Sequence, residues 1–106
     1  MSGSRTTIAD EDRLDNVHPG DILREDFLIG TEVPVDEVAI GTGIARERLA
    51  RLLDCREHID ADLDLRLGRY FGMSEGFFLR LQNDFDLEEV RRGHGDELDR
   101  IVRRAA

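Results

Sequence analysis

Apolar residues recur at helical spacing on both sides of Gly43. Before this glycine they are Val35, Val38 and Ala39, with Thr42 at the same spacing, and after it they are Ile44, Leu49, Leu52 and Leu53. This spacing is typical of two short helices that each bury one face. Gly43 lies between them, where a tight turn requires a residue that tolerates positive φ. The pattern therefore predicts a helix-turn-helix.

Three further helices are indicated by capping residues and apolar stripes. A first helix should begin at His18-Pro19-Gly20-Asp21, since proline is favoured at the first helical position, and it should end at Gly30. Asp60 is a suitable N-cap for a fourth helix, which Gly72 would close. Ser74 is the expected N-cap of a fifth helix, with apolar positions Phe77, Phe78, Leu81 and Phe85. No segment alternates with the period of a strand, so the predicted fold class is all-α, with five helices.

The length and composition of the chain fit one domain with tails at both ends. Residues 1–17 are mostly small and polar and predict a mobile N-terminal tail. Residues 18–92 form the predicted helix-turn-helix domain. Residues 93–106 predict a short C-terminal tail, in which Gly93 and Gly95 break the helix before one or two final amphipathic turns.

The second helix of the predicted helix-turn-helix leaves several side chains outside the core. In DNA-binding proteins with this motif, the second helix is the one that enters the major groove. The candidate DNA-binding residues on it and in the following loop are Arg46, Glu47, Arg48, Ala50, Arg51 and Arg56. We expect Arg46 or Arg48 to contact a base edge, and Arg51 and Arg56 to contact phosphate. Glu47 could accept from a cytosine, and Ala50 could touch a thymine methyl group.

The net charge of −9 limits how this chain can bind nucleic acid. All fifteen basic residues are arginines, and the acidic residues outnumber them. Since phosphate neutralisation supplies most non-specific affinity, binding must come from a local arginine patch, doubled by dimerisation. The acidic surface also suits a basic protein partner, because opposite fields steer association.

The sequence contains no pattern that indicates an enzyme, a cofactor or a metal. The three histidines and the single Cys55 match no metal-ligand spacing, and there is no phosphate-binding loop or nucleophile motif. His18 is expected to cap or pack. Cys55 is expected to be inert, although the adjacent Arg56 favours a lowered pKa. With no disulfide framework, membrane span or signal peptide in the sequence, we expect a cytoplasmic protein.

Three stretches resemble one branch of a known family. They are HPGDILREDFL at 18–28, VAIGTGIARERLARLL at 38–53, and IDADLDLRLGRYFGMS at 59–74 followed by FFLRLQNDFDL at 77–87. They are similar to the HigA/VapI antitoxins of the XRE-type (Cro/repressor-like) helix-turn-helix family. The resemblance implies a lambda-repressor-like bundle that forms a homodimer and binds double-stranded operator DNA. It also implies neutralisation of a basic HigB-type toxin, a ribosome-dependent mRNA endonuclease.

Several positions depart from the pattern of that family. Val35 stands where members often carry a glutamine that contacts a phosphate. Ala45 replaces the usual capping residue of the DNA-reading helix, Cys55 stands where the following turn usually has glycine, and Glu57 replaces a basic residue. Two alternatives therefore stay open: a free-standing XRE-type transcriptional regulator, and a protein-interaction module that has lost DNA binding. The homodimer is also suggested by apolar residues that exceed what one face of the last helix can bury alone. They are Phe77, Phe78, Leu81, Phe85 and Leu87.

Overall fold

The computed structural model describes residues 15–105, and within that range it contains five helices and no strand. Helix α1 begins as an α-helix at Pro19–Ile22 and continues as a π-helix at Leu23–Ile29. The others are α2 (Val35–Thr42), α3 (Arg46–Leu53), α4 (Ala61–Phe71) and α5 (Phe77–Asp99). The predicted all-α, five-helix fold class is confirmed. The N-terminal tail predicted for residues 1–17 lies outside the described residues as far as residue 14.

Helix α1 begins and ends where the sequence predicts. The His18 side chain accepts a hydrogen bond from the Gly20 N–H through Nδ1 at 2.9 Å, so it is the N-cap, and Pro19 is the first helical residue. From Leu23 onwards the helix widens, and the Gly30 N–H donates to the Glu25 carbonyl five residues back. The capping prediction for His18 is confirmed, whereas the π-helical segment has no signal in the sequence pattern.

The two ends of α4 follow the prediction, but the start of α5 does not. Asp60 accepts from the Leu63 N–H at 2.9 Å, and Gly72 takes the left-handed conformation at φ 74°. The prediction that Ser74 caps α5 is wrong, because the helix begins after Gly76. Its first N–H groups instead donate to the buried carboxylate of Asp64 on α4. The donors are Gly76 at 2.7 Å, Phe78 at 2.8 Å and Leu79 at 3.1 Å.

The last helix extends beyond the predicted break. Helix α5 continues through Gly93 and Gly95 to Asp99, although His94 between them has non-helical angles of φ −130° and ψ 24°. The break predicted at Gly93 and Gly95 is therefore present as a kink at His94, and a second helical segment follows it as far as Asp99. The final turn after the kink leaves Leu98 partly exposed, and Ile101 and Val102 beyond it are largely exposed.

One hydrophobic core joins all five helices. The residues with no solvent exposure include Leu23, Val38, Leu49, Leu52, Leu63, Leu67 and Phe78. Phe27 of α1 packs against Phe71 and Phe78, with ring centroids 5.1 and 5.3 Å apart. Since Phe78 is wholly buried within one chain, the prediction that it needs a second copy is wrong. Leu87 remains exposed on α5, together with Val90.

Candidate nucleic-acid interface

The turn between α2 and α3 is held by backbone and hydroxyl groups. Gly43 has φ 74°, as the sequence predicts, and its N–H donates to the Ala39 carbonyl at 3.0 Å. The Thr42 hydroxyl donates to the Val38 carbonyl and accepts from the Ile44 N–H, at 2.6 and 3.2 Å. Thr42 and Ile44 are both buried, so the turn is fixed on its inner side. This geometry sets the direction in which α3 leaves the turn.

Helix α3 separates the predicted DNA-binding residues into two groups. At about 100° per residue, Arg46, Ala50, Glu47 and Arg51 fall within an exposed arc of about 140°. Arg48 lies about 60° outside that arc, toward the buried Leu52. Its side chain is accordingly only 26% exposed, against 46% for Arg51. The structure thus brings four of the predicted residues together on one face and places Arg48 at its edge.

Three carboxylates surround Arg48. Its Nε donates to Glu57 at 3.1 Å, its Nη2 to Asp60 at 2.7 Å and its Nη1 to Asp62 at 3.2 Å. These pairs raise the pKa of Arg48, chiefly through the hydrogen bond to Glu57. The arrangement connects α3 to the loop after it and to the first turn of α4. Sequence reasoning missed it, since Asp60 was expected only as a cap, and the dense acidic residues from 54 to 64 were the available signal.

Glu57 is shared between two arginines of α3. Its Oε1 accepts from Arg51 Nε at 3.0 Å, and its Oε2 accepts from Arg48 Nε. The hydrogen bond from Arg51, followed by the one from Arg48, lowers the pKa of the Glu57 carboxyl. The side chain of Glu57 is 21% exposed, so it lies against the helix surface and does not extend into solvent.

The two remaining arginines of the predicted set also have acidic partners. Arg46 pairs with Asp36 of α2, and Arg56 pairs with Asp54 at 2.6 Å. Arg56 lies in the loop beyond α3 and is 67% exposed, apart from the exposed arc. Each arginine of the predicted set therefore forms an ion pair within the chain, whether it lies on the exposed arc, at its edge or in the loop.

In the loop after α3, Cys55 occupies a turn position where the family usually has glycine. Cys55 has φ 61°, a left-handed conformation that is uncommon for residues with a side chain. Its thiol donates to Asp21 Oδ1 at 3.2 Å. Burial and this contact raise the pKa of the Cys55 thiol, so the lowered pKa suggested by Arg56 is wrong. Ala45 precedes α3 without any side-chain cap, as its residue type predicts.

Two further properties follow from the described part of the chain. Among residues 15–105, no group of three His, Cys, Asp or Glu side chains is arranged to hold a metal ion. None of the helices in that part combines the length and apolar character that crossing a membrane demands.

The fold and the exposed α3 define a helix-turn-helix protein of the repressor-like XRE type.

No family model matches the chain. Virulence-associated protein I of Dichelobacter nodosus is 31% identical over 80 residues, which cover 76% of this chain and 74% of that protein. The Pseudomonas aeruginosa antitoxin HigA with the higBA promoter has a TM-score of 0.77 at 26% identity, covering 87% of this chain and all of the other. The antitoxin GraA has the same TM-score at 34% identity, covering 87% of this chain and 99% of that one. The chain belongs to the HigA/VapI family of antitoxins.

Proposed function

We propose that this protein is an antitoxin and autorepressor. As a homodimer it binds the operator of its own operon through α3, and it neutralises a basic HigB-type mRNA-endonuclease toxin. The observation that carries the proposal is the exposed arc of α3 on a fold shared with a HigA antitoxin whose structure includes its promoter. The site residues proposed for DNA binding are Arg46, Glu47, Ala50, Arg51 and Arg56. Arg48, which the sequence also suggests, is left out of this set because three carboxylates surround it outside the exposed arc.

A homodimer supports this function because two-fold symmetry places two reading helices about 34 Å apart, one turn of DNA. Leu87 and Val90 are 55% and 47% exposed on α5, and they are the apolar positions that a second copy would cover. Light scattering at micromolar concentration should give twice the 12.1 kDa chain mass. Leu87→Asp should shift the protein to monomer, whereas Ile40→Asp, on the outer side of α2, should not. A monomeric wild type would contradict the dimer.

The DNA-binding half of the proposal is tested on the promoter of the protein's own operon. Fluorescence anisotropy at low salt should show tighter binding to this promoter than to random DNA of equal length. Wild-type protein with no such preference would exclude the repressor role. In that case the protein-interaction module is favoured, since Arg46, Arg48, Arg51 and Arg56 each already have a carboxylate partner within the chain.

The toxin-binding half is tested by co-expression with the adjacent reading frame. The neighbouring product alone should arrest growth, and co-expression of this chain should relieve the arrest and yield a purified complex. The association should be fast and salt-sensitive, because an acidic protein attracts a basic partner over long range. Promoter binding without any toxic neighbour would instead support the free-standing regulator.

A further inference from the structure

Arg48 and Arg51 differ in how much of each guanidinium is occupied. Arg48 uses Nε, Nη1 and Nη2 for three different carboxylates. Among the described residues, Arg51 has one partner, Glu57, which binds at Nε. A single carboxylate cannot occupy all the N–H groups of a guanidinium, so the outer end of Arg51 stays available. The two arginines are therefore unequal as DNA ligands.

Binding at Nε also restricts the direction of the Arg51 side chain. Reading guanine requires two N–H groups of one arginine to meet O6 and N7 in the major groove. A planar guanidinium that is already held at one edge loses less freedom when the opposite edge forms these bonds. Arg51 lies within the exposed arc of α3, where the groove would be. Arg48 would have to break three charged contacts before it could make the same bonds.

We propose that Arg51 reads a guanine in each operator half-site and that Glu57 is the positioning residue that orients it. Arg48 does not read DNA and instead ties α3 to the start of α4. This assignment rests on the proposed function. It gives Arg51 a base contact where the sequence suggests a phosphate contact, and it removes Arg48 from the candidates for the base contact. It also gives Glu57 a part in recognition, where the sequence indicates only the replacement of a basic residue.

The first test measures affinity of wild type and Arg51→Lys for the promoter and for fragments with each base pair replaced in turn. Lysine keeps the charge but lacks the planar fork. Arg51→Lys should lose discrimination at one G·C pair per half-site by about 5- to 150-fold, and the other positions should be unchanged. Arg48→Met should lower the midpoint temperature of thermal unfolding. Its discrimination between base pairs should equal that of wild type at every position.

The second test separates orientation by Glu57 from its charge. Glu57→Ala should lose discrimination at the same base pair as Arg51→Lys, while its affinity for random DNA should not fall. Glu57→Gln removes the charge but keeps an acceptor oxygen, so it should restore part of the discrimination. Asp54→Asn is the matched control, since Asp54 pairs only with Arg56 among the described residues. It should tighten binding to all fragments alike.

The outcomes distinguish this inference from the proposed function. The assignment is overturned if wild type prefers its promoter but Arg48→Met, and not Arg51→Lys, loses discrimination at one base pair. That result leaves the repressor role intact. If Glu57→Ala and Asp54→Asn discriminate between base pairs equally at every position, Glu57 has no positioning role. A wild type with no promoter preference overturns the proposed function and this inference with it.

Discussion

Two aspartates near the start of α4 cap two different helices. Asp60 caps α4 itself, while Asp64, one turn later, accepts from three N–H groups at the start of α5. Asp64 is 1% exposed, and burial of an unpaired carboxylate would be costly. Three N–H donors and the positive end of α5 offset that cost. One buried side chain thereby fixes the angle between the two helices.

His18 combines a cap with a packing contact. Its Nδ1 accepts from the Gly20 N–H, and its ring lies 4.9 Å from that of Phe85, edge to face. Burial lowers the pKa of His18 from its ordinary value of 6.5, and the nearby His58 lowers it further. The carboxylates of Asp21 and Asp86 act to raise the pKa, but their effect is smaller. The folded protein therefore favours the neutral ring, which alone can accept the capping hydrogen bond.

The stability contributed by His18 should depend on pH. Since its folded-state pKa lies below the ordinary 6.5, the contribution is complete above 6.5 and is lost as the pH falls from there through the folded-state pKa. Urea unfolding of wild type and His18→Asn at about pH 7.5 and about pH 5.5 measures this, because asparagine keeps a capping oxygen that does not titrate. Wild type should lose stability relative to the variant at the lower pH. Parallel pH dependence in both proteins would contradict the assignment.

At the scale of elements, the close approach of α1 to α3 depends on the absence of one side chain. A Cβ at Gly20 would lie 1.9 Å from the Leu52 carbonyl oxygen, a backbone atom that cannot rotate away. Gly93 in α5 is different, because nothing lies within 4 Å of the position that its Cβ would take. The first glycine is required by packing, and the second only weakens its helix.

Alanine at these two glycines should have opposite effects. Gly20→Ala should lower the free energy of unfolding by about 3 kcal/mol, because α1 must move away from α3. Gly93→Ala should raise it by about 0.5–1 kcal/mol, since alanine is the better helix former and has room. Chemical denaturation of both variants provides the comparison. A Gly20→Ala protein as stable as wild type would show that the two helices can separate without cost.

At the scale of the whole molecule, the acidic residues outnumber the basic ones, and several of them pair with the arginines of α3 and of the loop after it. Exposed ion pairs of this kind contribute about 0–1 kcal/mol each, so their number says little about stability. They matter more for the electrostatic field. Each arginine that forms an ion pair within the chain presents less net charge to a phosphate backbone, and the chain as a whole carries −9.

DNA binding should accordingly respond only moderately to salt. If Arg46 and Arg56 are the phosphate contacts of each subunit, a dimer neutralises four phosphates, and log K should fall with log salt at a slope of about 3.6. Titration of promoter binding against salt concentration measures the slope. Arg56→Gln should reduce its magnitude by about 1.8, one contact in each subunit. A wild-type slope above about 7 would require many more phosphate contacts than this assignment supplies.

The sequence alone determined the elements whose causes lie within a few residues. Helical spacing of apolar residues, the His18 and Asp60 caps, and the left-handed glycines Gly43 and Gly72 all depend on neighbours within one or two turns. Local hydrogen bonds and backbone sterics decide such features, so the all-α class and the helix-turn-helix were predictable. The resemblance to HigA/VapI antitoxins, which lies in stretches between residues 18 and 87, is confirmed by the similar proteins and structures.

The tertiary structure decided which charged groups meet. Asp64 accepts from N–H groups 12 to 15 residues later in the chain, and Arg48 pairs with carboxylates 9 to 14 residues away. Phe78 fills the core of its own chain, although its spacing suited an intermolecular contact equally well. Residue type and spacing do not fix such partners, because they depend on the angles at which helices pack. For the candidate site, the sequence therefore predicted the arginines of α3, and only packing determined how many carboxylates pair with each of them.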